Sequence, residues 1–164
     1  MAVAESLDAA AIDWVVGGST ARALLGFAAT PRDLDLEVAE EATHAAASAI
    51  GLAAHRDEDP HVTSMRAQGT RGSVEIDLIG GLTCHGPGGN LHADYALLRL
   101  FSKTVLLAEH TVWVAPVEEQ IARAIVAGTG DRLDRIARER PAGDRKSTRL
   151  NSSHIQKSRM PSSA

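Results

Sequence analysis

Strict alternation is the strongest pattern along the chain. Residues 33–38 read Asp33, Leu34, Asp35, Leu36, Glu37, Val38, and in residues 73–79 Val74, Ile76 and Leu78 oppose Glu75 and Asp77. A period of two predicts two strands, each with an acidic and an apolar face. The apolar run 12–16 ends at Gly17-Gly18 and predicts a short buried strand. Ser19 then stands at an N-cap position before a short helix over 20–25, closed by Gly26. An alanine-rich segment, 39–50, predicts a helix ending at Gly51. Segments 52–56 and 63–68 predict strands on either side of a polar turn at 57–60. Residues 80–90 are expected to form a glycine-rich loop, and 104–114 a strand or hairpin. Further helices are predicted over 6–11, over 116–127 with Pro116 in the first turn, and over 131–140 before Pro141.

Composition narrows the class. The chain has 164 residues and a formal net charge of −4, with 44% apolar and 23% charged residues. That is ordinary for a globular protein and long enough to bury a core without disulfides. No apolar run approaches bilayer length, so no membrane association is expected. The N-terminal stretch carries Glu5 and Asp8 and no basic start, unlike a secretory signal. A single cysteine, Cys84, excludes an internal disulfide and fits a cytoplasmic protein. The acidic balance argues against a broad nucleic-acid footprint.

Composition also breaks near residue 143. Residues 1–143 carry 27 alanines and one lysine, Lys103, whereas residues 144–164 carry six serines, two lysines and one alanine. Two blocks, 144–154 and 158–164, resemble the in-frame translation of a sequencing-library adapter. Residues 144–164 are therefore expected to be a non-native tail, and the native C-terminal region to be truncated.

Three features carry chemistry. Gly17-Gly18-Ser19 lies between a predicted strand and a predicted helix, where backbone amides unobstructed by a Cβ can face a phosphate. Asp33 and Asp35 project from one strand face, and such a pair repels itself unless water or a cation intervenes. Hard divalent cations favour oxygen ligands of this kind. Asp77, with Glu75, adds acids on a second strand. Each feature alone reads equally well as a capping turn or a solvated strand face. Cys84, His85, His92 and Asp94 lack compact zinc spacing, and Arg99 and Lys103 fit a solvated helix surface.

Together, Val16-Gly17-Gly18-Ser19, then Asp33-Leu34-Asp35-Leu36, then Asp77 between apolar neighbours resemble the nucleotidyltransferase superfamily in residue type, spacing and order. Residues 10–82 carry this resemblance. The segment Pro116-Val117-Glu118-Glu119 resembles the helical region of small antibiotic- and toxin-type members. The element after it, Asp131-Arg132-Leu133-Asp134, lacks their lysine.

The resemblance implies an α/β nucleotidyltransferase fold, a mixed β-sheet flanked by helices with a C-terminal helical extension. It divides the chain into a catalytic core over 1–82 and an extension over 83–143. It implies Mg²⁺-dependent transfer of a nucleoside monophosphate, AMP, from a nucleoside triphosphate to an acceptor hydroxyl. Asp33, Asp35 and Asp77 would be catalytic and hold the metal, with Asp77 alternatively taking the acceptor's proton, while Gly17, Gly18 and Ser19 would bind the phosphates. The acceptor would be an aminoglycoside-like small molecule, a tRNA end or a protein side chain. The rival reading is a non-catalytic nucleotide- or partner-binding module on the same fold.

Overall fold

The computed structural model describes residues 2–140; the tail at 144–164 and the helix stop at Pro141 lie outside the described residues. The elements run α1 (Ala2–Ala9), β1 (Val15–Val16), α2 (Gly18–Leu24), β2 (Asp33–Val38), a 3-10 turn (Glu40–Ala42), α3 (Thr43–Ala49), β3 (His55–Asp59), β4 (Val62–Arg71) and β5 (Val74–Gly86). They continue with β6 (Gly89–His92), α4 (Tyr95–Phe101), β7 (Lys103–Leu107), β8 (His110–Val114), α5 (Val117–Val126) and α6 (Gly130–Glu139).

The strands form one mixed sheet in the order β3-β4-β5-β2-β1-β8-β7, with β6 pairing β5. β2 lies parallel to β5 and β1 parallel to β8; the other pairs are antiparallel. Six α-helices flank the sheet among the described residues. Alternation gives the sheet two unlike faces. Leu34, Leu36 and Val38 of β2 and Ile76 and Leu78 of β5 join Leu7 of α1 and Ala46 and Ala47 of α3 in the apolar core. Complete burial of each large side chain there contributes about 1.5–3 kcal/mol. Asp33, Asp35 and Glu37 necessarily face the other way, toward the side where α5 and α6 pack.

The boundary at residue 82 falls inside β5, and β8, from beyond it, pairs with β1. Residues 83–140 thus supply part of the same sheet as well as α5 and α6. No described helix is long and apolar enough to cross a membrane.

Several local expectations need correction. Ser19 is not the cap of α2. Gly17, extended at φ −108, is the N-cap, and the Ala21 N–H donates to its carbonyl at 2.8 Å, so the helix starts at Gly18. Residues 80–90 are not a loop, because β5 continues to Gly86 and turns into β6. Their glycines serve close packing instead. A Cβ at Gly80 would strike the Thr43 hydroxyl and crowd the backbone of Ala39 and Glu40, and Gly81 has φ +62 beside a register irregularity between β4 and β5. The polar segment 57–60 is mostly strand, with the turn at Pro60-His61. Pro116 caps α5 rather than opening it, and Lys103 begins β7 rather than lying on a helix. Arg99 is not simply solvated: its guanidinium lies 3.3 Å over the Trp113 ring and its Nε donates to Asp13 at 2.9 Å.

Candidate active site

The parallel pairing of β2 with β5 sets the site. Asp35 is the register partner of Asp77, and Asp33 of Glu75. Partners in adjacent strands point to the same side, so two strands far apart in sequence present one acidic face. The glycine turn crosses above it. The Gly17 N–H donates to the Asp35 carbonyl at 2.9 Å, and Thr20 Oγ1 donates to the Asp33 carbonyl at 2.9 Å. A Cβ on Gly17 would come within 2.8 Å of Glu37 Oε1, and one on Gly18 would collide with the Asp35 carboxylate. Gly18 also has φ +55, which side-chain-bearing residues seldom adopt. The glycine pair is required by the closeness of turn and carboxylates, a reason independent of any phosphate.

Asp35 and Asp77 border a cavity of about 470 Å³ together with Gly18, and Gln120, Arg123 and Arg132 reach it from α5 and α6. Asp33 opens onto an adjoining cavity of about 300 Å³ that it shares with Glu75 and Asp77. Gly17 and Ser19 line neither. A cavity of about 510 Å³ between α4 and α5, lined by residues such as Leu97, Phe101 and Pro116, contains none of the three aspartates.

Charge is distributed unevenly over this face. Burial pushes the Asp35 carboxyl up to about 6, and the negative charges of Asp33, Asp77 and Glu37 push the same way against Arg132. Neither Asp33 nor Asp35 has a salt-bridge partner among the described residues. Asp77 does. Arg66 Nε donates to Asp77 Oδ1 at 2.8 Å and Arg66 Nη2 to Oδ2 at 2.6 Å. Arg66 Nη1 donates to Asp57 Oδ2 at 3.1 Å. Glu37 is paired as well, with Arg123 Nη2 at 2.5 Å, and Arg123 also contacts Glu119. Burial pushes Glu119 upward, and Glu37 adds to the rise against the pull of Arg123.

With these side-chain positions, no group of three His, Cys, Asp or Glu among the described residues is disposed to hold a metal ion. The donor chemistry nevertheless suits a hard divalent cation. Asp33 and Asp35 lie two residues apart on one strand face, neither has a salt-bridge partner among the described residues, and burial with the neighbouring acids outweighs the pull of Arg132 on Asp35.

The pattern reading missed Arg66, Gln120, Arg123 and Arg132. Gln120 Nε2 donates to the Gly18 carbonyl at 3.1 Å, while Arg22 Nη1 donates to Gln120 Oε1 at 2.5 Å and Arg22 Nε to Glu139 Oε2 at 2.6 Å. This chain ties the glycine turn to α5 and α6. Arg66 had one legible signal: it alternates with Gln68, the register partner of Asp77, and so lies diagonal to Asp77 once β4 and β5 pair.

The strand order, the glycine turn over β2 and the paired Asp35 and Asp77 make a mixed α/β sheet with one acidic face beneath a glycine turn. No family model matches the chain, and no curated protein matches it. The structure superposes on that of a candidate nucleotidyltransferase from Thermotoga maritima with a TM-score of 0.65 and 16% identity, over 92% of this chain and 89% of that one. ANT(2″)-Ia in complex with adenylyl-2″-tobramycin aligns at a TM-score of 0.49 and 14% identity, over 94% and 86% of the two chains, a likeness too weak to argue from. At such identity the first likeness establishes the fold, and function must come from the site.

Proposed function

We propose that the protein is a Mg²⁺-dependent nucleotidyltransferase that moves AMP from a nucleoside triphosphate to an acceptor hydroxyl. The observation that carries this reading is the pairing of Asp35 with Asp77 across parallel strands, under the Gly17-Gly18 turn and in a cavity bordered by arginines. The acceptor oxygen forms a bond to the α-phosphorus as the bond to pyrophosphate breaks, and the hydroxyl proton passes to water or to a site carboxylate. Asp33 and Asp35 would hold the cation, and Asp77 would join them once freed from Arg66. Arg66 donates to both oxygens of Asp77 in the ligand-free protein, so Asp77 joins the site only when that pairing opens. The chemistry a cation held there would supply is neutralisation of charge on the triphosphate and on the departing pyrophosphate.

The Gly17 N–H is committed to Asp35, so the Gly18 amide, at the edge of the cavity, is the one in the glycine turn placed to meet the phosphates. Arg132, on the cavity wall, supplies positive charge to the same anion. The acceptor class stays as wide as a small polyhydroxylated molecule, a tRNA end or a protein side chain, as in antibiotic-resistance and toxin–antitoxin members of the superfamily, and the setting proposed is the bacterial cytoplasm.

The test is calorimetric titration with Mg²⁺ and a nonhydrolysable nucleoside triphosphate. Asp35→Asn keeps the side-chain size and removes the charge, so affinity should fall by about tenfold or more. Equal affinity in Asp35→Asn and the parent would overturn the reading. One observation favours the non-catalytic module, namely that Arg66 occupies both Asp77 oxygens. Transfer of label from α-labelled ATP to a panel of hydroxyl acceptors separates the two: the enzyme labels an acceptor, and the module binds nucleotide and labels none.

A further inference from the structure

Asp77 is ion-paired with Arg66, whereas neither Asp33 nor Asp35 has a salt-bridge partner among the described residues. The guanidinium of Arg66 engages Asp77 through a two-point fork, at 2.8 and 2.6 Å, and this geometry uses both carboxylate oxygens. Backbone register points Asp77 to the same side as Asp35, yet the carboxylates do not form a cage. The bond to Asp57 gives Arg66 a second anchor on β3. Its side chain is 29% exposed and borders the same cavity as Asp35, so it has room to turn without leaving the site.

Resting on the nucleotidyltransferase reading above, we propose that Arg66 is a latch on the third carboxylate. In the ligand-free protein it holds Asp77 out of the cation site. It gives Asp77 up when a cation and a triphosphate arrive together, because the triphosphate offers the guanidinium a replacement anion and the cation offers one to Asp77. Arg66 is thus a positioning residue that acts through Asp77. A bare cation meets two carboxylates, and the full set forms only with nucleotide present. This makes metal loading conditional on substrate.

A double-mutant cycle read by Mn²⁺ binding to the full chain, without nucleotide, tests the latch. Arg66→Gln should bind Mn²⁺ about tenfold more tightly than the parent, because Asp77 is released. Asp77→Asn should change Mn²⁺ affinity by less than about twofold in the parent and should cancel the gain in Arg66→Gln. Loss of a positive charge by itself would also raise affinity, but Asp77→Asn would then act by the same factor in both backgrounds. That additive outcome, or no gain in Arg66→Gln, overturns the latch. Arg66→Lys keeps the charge and breaks the fork, and it carries the same cycle with a smaller gain should Arg66→Gln fail to fold. Asp35→Asn in the same titration separates the two claims. If it weakens Mn²⁺ binding while the cycle is additive, the latch fails and the nucleotidyltransferase reading stands; if it leaves binding unchanged, that reading fails.

Discussion

Asp35 and Glu37 stand two residues apart on one face of β2, and their surroundings are opposite. Glu37 is 7% exposed, meets Arg123 at 2.5 Å and shares that arginine with Glu119. Asp35 has no salt-bridge partner among the described residues and is crowded by Asp33, Asp77 and Glu37, which with burial drive its carboxyl up to about 6. One half of the acidic face is therefore an ion-paired cluster that docks α5 on the sheet, even though burial pushes Glu119 upward and leaves its Oε2 without a hydrogen-bond partner among the described residues. The other half is held in an unfavourable charge state by the fold around it. On the function proposed above, that is where a cation from solution would bind. The contrast also means that the two halves should respond oppositely when a charge is removed.

The largest effect should come from Arg123→Met. It leaves Glu37 and Glu119 buried without their cation, and urea denaturation should show a loss of about 3–5 kcal/mol. A loss under about 1 kcal/mol would mean that Glu37 is as uncompensated as Asp35, and the contrast would collapse.

Asp35→Asn should act in the opposite direction when divalent cations are absent. The folded-state carboxyl, raised from 3.8 to about 6, binds its proton more tightly than the unfolded one. Its contribution is favourable below about pH 4 and is lost as pH rises through about 6. Asp35→Asn should therefore be more stable than the parent by roughly 2–3 kcal/mol near pH 8, with the difference vanishing near pH 3.5. Thermal or urea unfolding across pH reads it directly. A difference that does not change with pH would show that Asp35 is not the strained group.

The smallest effect, Gln120→Leu, sharpens the boundary between the two halves. Gln120 is 2% exposed and joins the Gly18 carbonyl, above Asp35, to the Arg22–Glu139 pair. Leucine preserves the volume and orphans both partners, for a loss of about 1–2 kcal/mol. If the glycine turn depends on this tie, triphosphate affinity should fall as well. Unchanged affinity would restrict Gln120 to docking α5.

Much of this arrangement was legible along the chain. Alternation in 33–38 matches β2 residue for residue, because a strand's side-chain period is a local property of the backbone. The same local rule separated Asp33, Asp35 and Glu37 from Leu34, Leu36 and Val38. The hairpin over 104–114 and the helix after Pro116 were legible for similar reasons. The glycines at 80 and 81 misled, since glycine signals a loop locally and here answers the close approach of Thr43 and Glu40 from elsewhere in the chain.

The sequence by itself determined which residues share a face and which carry charge, because both follow from side-chain identity and a two-residue period. Only the tertiary structure decided which carboxylates keep a counter-cation. The pairing of Asp35 with Asp77 depends on β2 lying beside β5, and the partner of Glu37 comes from 86 positions away on α5. Arg66 reaches Asp77 only because β4 pairs with β5 in one register. Charge compensation depends on distance in space, and contacts this remote in sequence leave no periodic trace along the chain.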